Sequence, residues 1–124
     1  MSDKKLAIYH NPDCSKSRQT LQLLQENNQN PKIIDYLKQP PNKSLLQTLI
    51  TKGIPARTLL RSKEYAALQT GLNIDAMSED DIIEAICRQP TLLQRPIVVY
   101  GDKAMIGRPP TAILDLFQWN FQWW

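Results

Sequence analysis

Cys14 stands in the run His10-Asn11-Pro12-Asp13-Cys14-Ser15-Lys16-Ser17-Arg18, between the short apolar stretch Leu6-Ala7-Ile8-Tyr9 and a segment with helical spacing. A sulfur at a helix N-terminus meets unpaired backbone N–H groups and the positive end of the helix dipole, and both favour thiolate over thiol. Lys16, Arg18 and His10 are close in sequence and could each stabilise the anion. The carboxylate of Asp13 would oppose ionisation unless it points to solvent or pairs with a base. His10, the only histidine, reads equally as a hydrogen-bonding or charged neighbour of the thiol and as a residue that caps the loop. The hydroxyls of Ser15 and Ser17 are either anion contacts or caps, and Ser17 is the candidate substrate contact of the pair. Ser17 also occupies the place where a Cys-x-x-Cys motif would carry its second thiol, so an oxidised Cys14 needs an external thiol to reduce it.

Three arginines further along extend this chemistry. Most arginines are solvated surface residues, but Arg95 precedes Pro96 at the entry to an apolar run, and Arg108 precedes Pro109 just after another. Guanidinium groups bind tetrahedral oxyanions through paired N–H donors. Arg61, Arg95 and Arg108 are therefore the candidate anion-binding residues. Cys87 falls four positions after Ile83 and one after Ile86, which places it at the border of an apolar helix face and favours a structural role.

The bulk composition fits such a protein. With 124 residues, 42% of them hydrophobic and 22% charged, a single domain spanning 1–124 is expected, large enough to bury a core without staples. The net charge of +3 comes without a Lys/Arg block, so no nucleic-acid partner is expected. Two cysteines are too few for a disulfide framework, and no Cys/His spacing suits a metal, so no metal site is expected. No apolar run reaches the length of a membrane span, and the N-terminal apolar stretch is too short for a signal peptide. A cytoplasmic protein is the natural expectation.

The elements that must position these groups follow from pattern. Leu6-Ala7-Ile8-Tyr9 reads as a buried strand, a helix follows from Ser15 to Glu26, and Lys32 to Leu37 reads as a second strand. Gln39-Pro40-Pro41-Asn42 precedes a helix carrying Leu45, Leu46, Leu49 and Ile50 that stops at Gly53 and Pro55. A mostly helical section includes Arg57 to Leu68. Ser78 then caps a helix with Glu79-Asp80-Asp81 in its first turn and Ile82, Ile83 and Ile86 on its apolar face. Pro96 to Tyr100 and Lys103 to Ile106 form a hairpin around Gly101-Asp102, and Gly107-Arg108-Pro109-Pro110 leads into a final helix. The aromatic ending, Trp119, Phe121, Trp123 and Trp124, carries no assigned function. The order β-α-β, helices, β-β-α is that of a small α/β protein with a thioredoxin-like plan.

From Leu6 to Phe117 the chain resembles the glutaredoxin-coupled arsenate reductases. The resemblance is carried by Ile8-Tyr9-His10-Asn11-Pro12, Cys14, Ser17-Arg18, Thr20-Leu21, Tyr36-Leu37, Pro40-Pro41, Leu59-Leu60-Arg61, Arg95-Pro96-Ile97-Val98-Val99 and Arg108-Pro109. It implies a thioredoxin-like (glutaredoxin-like) α/β fold with a mostly helical insertion in the middle of the chain, and Pro96 as that fold's cis-proline. It further implies that Cys14 attacks arsenate, that His10 helps keep Cys14 ionised, and that Arg61, Arg95 and Arg108 hold the oxyanion. Glutathione would be the co-substrate and glutaredoxin the protein partner of a monomer, with no tightly bound cofactor.

Other readings are separated by particular positions. An Spx-type regulator that binds RNA polymerase would often carry a Cys-x-x-Cys switch, which Ser17 excludes, and would leave the arginine set without a task. A phosphatase-like reductase would need an arginine six residues after the cysteine, where Thr20 stands. A monothiol glutaredoxin-like transferase suits the Cys-x-x-Ser arrangement but gives the arginines no role.

Overall fold

The computed structural model describes residues 5–63 and 74–117. The chain divides into two compact units, one made of the segments up to Tyr36 and from Arg95 onward, the other of Leu37–Gln94.

In the first unit, β1 (Leu6–His10), α1 (Ser15–Glu26), β2 (Lys32–Asp35), β3 (Ile97–Tyr100) and β4 (Lys103–Ile106) follow one another, and a 3₁₀ helix (Pro110–Leu116) ends it. The sheet order is β2-β1-β3-β4. β1 runs parallel to β2, with Ile8 opposite Ile33 and His10 opposite Asp35, while β3 is antiparallel to both β1 and β4. A strand, crossover helix and parallel strand followed by an antiparallel hairpin is the thioredoxin-like arrangement expected from the sequence. Ile8, Leu24, Val98, Ile113, Leu116 and Phe117 form its core. Truncating one such aliphatic side chain to alanine typically costs about 2–5 kcal/mol, so these residues hold the strand ends in place.

Local chemistry sets the element ends. α1 stops at Asn27, followed by Asn28 in the left-handed region at φ 61°, a conformation asparagine tolerates better than most residues. The hairpin turns through Gly101, whose φ of 61° at the first central position suits glycine. β2 is shorter than the sequence suggests: it ends at Asp35, and Tyr36 leaves the ladder to become almost fully buried. The last helix is 3₁₀ rather than α, with Ala112 N–H donating to the Pro109 carbonyl at 2.9 Å and Phe117 N–H to that of Leu114 at 3.0 Å. Three residues per turn bring Ile113 and Leu116 onto one side, and both are buried.

The second unit is helical. It contains α2 (Lys43–Thr51), α3 (Ala56–Leu59) and α4 (Glu79–Arg88), with 3₁₀ turns at Ile74–Ala76 and Pro90–Leu92. Leu46, Leu49, Leu59, Ile82, Ile83 and Ile86 are buried there. Within the mostly helical section expected to include Arg57 to Leu68, α3 ends at Leu59. Leu60 becomes extended and bridges Leu93, and the flanking backbone groups bond across: Gln94 N–H to the Leu59 carbonyl at 2.7 Å and Arg61 N–H to that of Leu92 at 2.8 Å. Residues 64–73 of that segment, and the aromatic ending after Phe117, lie outside the described residues. Among the described residues, no helix is long and apolar enough to cross a membrane.

Candidate active site

The loop between β1 and α1 is closed by its own polar groups. Asn11 Oδ1 accepts from the Asp13 N–H at 3.0 Å, and the Asn11 carbonyl accepts from the Cys14 N–H at 3.0 Å. Ser17 Oγ accepts from the Asn11 N–H at 3.3 Å, and the Arg18 guanidinium donates to the Pro12 carbonyl at 2.8 Å. Cys14 is thereby fixed as the N-cap of α1, with extended dihedrals and no side-chain oxygen closing the helix end.

The sulfur takes that place. Only 8% of Cys14 is exposed, and burial pushes the thiol up; the Ser17 backbone N–H, the Arg95 guanidinium and the Lys16 backbone N–H all bond the sulfur and outweigh it. The net effect is a thiol that ionises more readily than a free cysteine. Arg108 also reaches the sulfur, at 3.9 Å, but that lies at the limit of a hydrogen bond to sulfur, and Arg95 is the arginine that moves the ionisation. Asp13, the neighbour that could oppose ionisation, is exposed to solvent and is not among the groups that shift the thiol.

Two cis peptide bonds, Arg95–Pro96 and Arg108–Pro109, flank the site, the first at the proline expected to be cis. Arg108 Nε donates to the Arg95 carbonyl at 2.8 Å, so the two arginines are tied to each other as well as to the sulfur. Gly107, just before Arg108, leaves no room for a side chain: a Cβ there would lie 2.6 Å from Thr20 Oγ1 and 2.9 Å from Pro96 Cγ. Thr20 is fully buried and its hydroxyl donates to the Lys16 carbonyl at 2.8 Å. Nothing in the sequence pairs Gly107 with Thr20; only the fold brings them together.

The remaining sequence-predicted residues fall as follows. Ser17 is fully buried with its hydroxyl engaged by the loop, so it meets the sulfur through its backbone N–H rather than its side chain. His10 ends β1 and is 7% exposed; burial lowers its pKa, Asp35 pulls it back up and Arg18 adds to the lowering. The net shift is downward, which favours the neutral ring. Arg61 belongs to the second unit, where its guanidinium donates to the Thr91 carbonyl at 3.2 Å. A cavity of about 330 Å³ in that unit is lined by Lys43, Asp80, Ile83, Glu84 and Cys87, none of them a predicted site residue.

The fold is a thioredoxin-like sheet that presents one cysteine, lowered in pKa, at a helix N-terminus, with two arginines at the sulfur. The comparisons with known proteins narrow this description. Residues 9–116 match the ArsC family, and the chain belongs to it. The chain is 44% identical over 115 residues to the uncharacterized protein YfgD of Escherichia coli K12, covering 91% of this chain and 97% of that protein. It is 42% identical over 113 residues to an arsenate reductase of Haemophilus influenzae, covering 88% of this chain and 96% of the other. The solved structure of an arsenate reductase from Vibrio cholerae superposes with a TM-score of 0.75 at 36% identity, covering 92% of this chain and 98% of that one.

Proposed function

We propose that this protein is an arsenate reductase in which Cys14 is the nucleophile and glutathione and glutaredoxin are the external reductants. The observation that carries the reading is the sulfur's setting: two backbone N–H groups of the first turn of α1 and the Arg95 guanidinium bond it, with Arg108 at 3.9 Å. A thiolate and an oxyanion repel each other unless fixed cations offset both charges, and the paired arginines supply that offset.

The chemistry balances with one protein thiol. The Cys14 thiolate attacks arsenic, forming an S–As bond as an arsenate oxygen takes up a proton and leaves as water. A glutathione thiolate then attacks the Cys14 sulfur: the S–As bond breaks with its electron pair going to arsenic, which leaves as arsenite, and the two sulfurs, oxidised together by two electrons, are joined as a mixed disulfide. A glutaredoxin thiolate attacks the mixed disulfide and returns Cys14 to the reduced form. Ser17 favours this route over an internal disulfide, because the second position of a Cys-x-x-Cys pair holds no thiol.

The test couples arsenate reduction to NADPH oxidation through glutathione reductase. Turnover is expected only when glutathione and glutaredoxin are both present, and Cys14→Ser should reduce it to background with the circular dichroism spectrum unchanged. A folded wild-type protein without turnover would refute the enzyme reading. Equal turnover with thioredoxin and thioredoxin reductase alone would refute the choice of reductant.

A further inference from the structure

His10 and Asp35 are register partners at the carboxyl ends of the parallel strands β1 and β2. Neighbouring strands lie about 4.8 Å apart, and paired residues project to the same face of a sheet, so the two side chains stand side by side. His10 is 7% exposed, and its Nδ1 has no hydrogen-bond partner among the described residues. A buried ring nitrogen left open in this way is costly unless it has a use.

The charges around the ring are unequal in kind. Lys16 and Arg18 lie on α1, Arg95 precedes β3 and Arg108 follows β4; of these, Arg18 is the cation that opposes an imidazolium at His10. On the β3 side the ladder begins at Ile97, opposite Tyr9, preceded by the uncharged Pro96. The Cys14 thiol closes the loop. Of the acids, Asp13 is exposed in the loop and Asp35 is half-buried on the adjacent strand. Burial and Arg18 work against a proton on His10, and Asp35 is the group that favours one.

His10 is also within electrostatic reach of the sulfur. Asn11 and Cys14 close a turn through the 3.0 Å bond between the Asn11 carbonyl and the Cys14 N–H. The Cα atoms across such a turn are less than about 7 Å apart, and one further residue adds at most about 3.8 Å, so the His10 and Cys14 Cα atoms are separated by no more than about one Debye length at moderate ionic strength.

We infer that Asp35 is a positioning residue that acts through His10: its carboxylate holds a proton on the imidazole when an oxyanion sits beside Cys14, so that anion binding takes up a proton at His10. The oxyanion supplies a second negative charge near the ring, and the imidazolium formed adds a cation to the arginines already present. By linkage, the anion binds more tightly as pH falls through the titration of His10. This rests on the reading of Cys14 as the residue beside which the oxyanion binds.

The chain's single histidine makes the test direct, since its imidazole C–H resonances need no assignment. In ligand-free protein the ring should titrate below the range of a free histidine. Asp35→Asn should move the titration to lower pH, and Arg18→Gln, which removes the opposing charge, should move it to higher pH. Saturating arsenate should move the wild-type titration upward and the Asp35→Asn titration by less. An imidazole titration unchanged by Asp35→Asn, or unmoved by arsenate in the wild type, overturns the inference. The titration needs no turnover, so its failure in a protein that reduces arsenate leaves the proposed function standing.

Discussion

Two helices of this chain begin in opposite ways. α4 completes its own N-terminus: Ser78 Oγ accepts from the Asp81 N–H at 3.1 Å, the Asp81 carboxylate accepts from the Ser78 N–H at 3.0 Å, and Glu79, Asp80 and Asp81 fill the first turn with negative charge. α1 has no side-chain cap and no acid in its first turn; Cys14 holds the N-cap, and Lys16 and Ser17 turn their N–H groups to its sulfur. The physics of the two starts is the same, namely orphan N–H donors and a positive dipole end. α4 uses both for its own stability, whereas α1 leaves them to the sulfur of its N-cap cysteine.

The comparison breaks most readily at Arg95 and Arg108, which meet the N-cap sulfur of α1. Arg95→Ala removes a charge-assisted hydrogen bond to the sulfur, an interaction of about 1.5–3 kcal/mol, so kcat/KM for arsenate should fall roughly 10- to 100-fold. The pH profile of Cys14 alkylation should shift upward. Arg108→Ala, which removes the 3.9 Å contact with the sulfur and the bond to the Arg95 carbonyl but leaves the Arg95 guanidinium in place, should shift that profile less. A larger shift from Arg108→Ala would reverse the order assigned to the two residues.

A milder change makes α1 resemble α4. Lys16→Asp places an acid in the first turn of α1, where it should favour the helix but compete with the thiolate for the same positive end. Alkylation of Cys14 at neutral pH should slow roughly two- to fivefold, the size of a helix-dipole interaction of 0.3–1 kcal/mol. The reciprocal change is smaller still for the site. Ser78→Ala should cost about 1 kcal/mol of stability, read as a lower urea midpoint, and leave the Cys14 alkylation rate unaltered. Slower alkylation in Ser78→Ala would show that the caps do not act separately.

The same contrast explains what could be read in the sequence. α4 was legible because its signals are local: Ser78, three acids and Ile82, Ile83 and Ile86 lie within a few residues of one another. The bounds of α1 were legible for the same reason, set by Asn11-Pro12 before it and Asn27 after it, and Cys14 could be picked out from its place at the helix start. What acts on Cys14 is not local. Arg108 is 94 positions away, and only the β2-β1-β3-β4 order brings it and Arg95 to the end of β1. The resemblance named both arginines, but not their unequal contact with the sulfur. Ser17 shows the limit of residue type as a guide, since its hydroxyl turns inward to the loop and its backbone N–H faces the sulfur. The end of α3 at Leu59 was hidden because Leu59 and Leu60 suit a helix equally well, and the pairing with Leu93 that extends Leu60 is a tertiary event.

The central claim is that the open N-terminus of α1, helped by Arg95, holds Cys14 as a thiolate. It is tested most directly by following thiolate absorbance near 240 nm against pH in Cys87→Ala protein, in which Cys14 is the only thiol. The account predicts a single titration below the range of a free cysteine, moving upward in Arg95→Ala. A Cys14 that titrates at or above a free cysteine would contradict it.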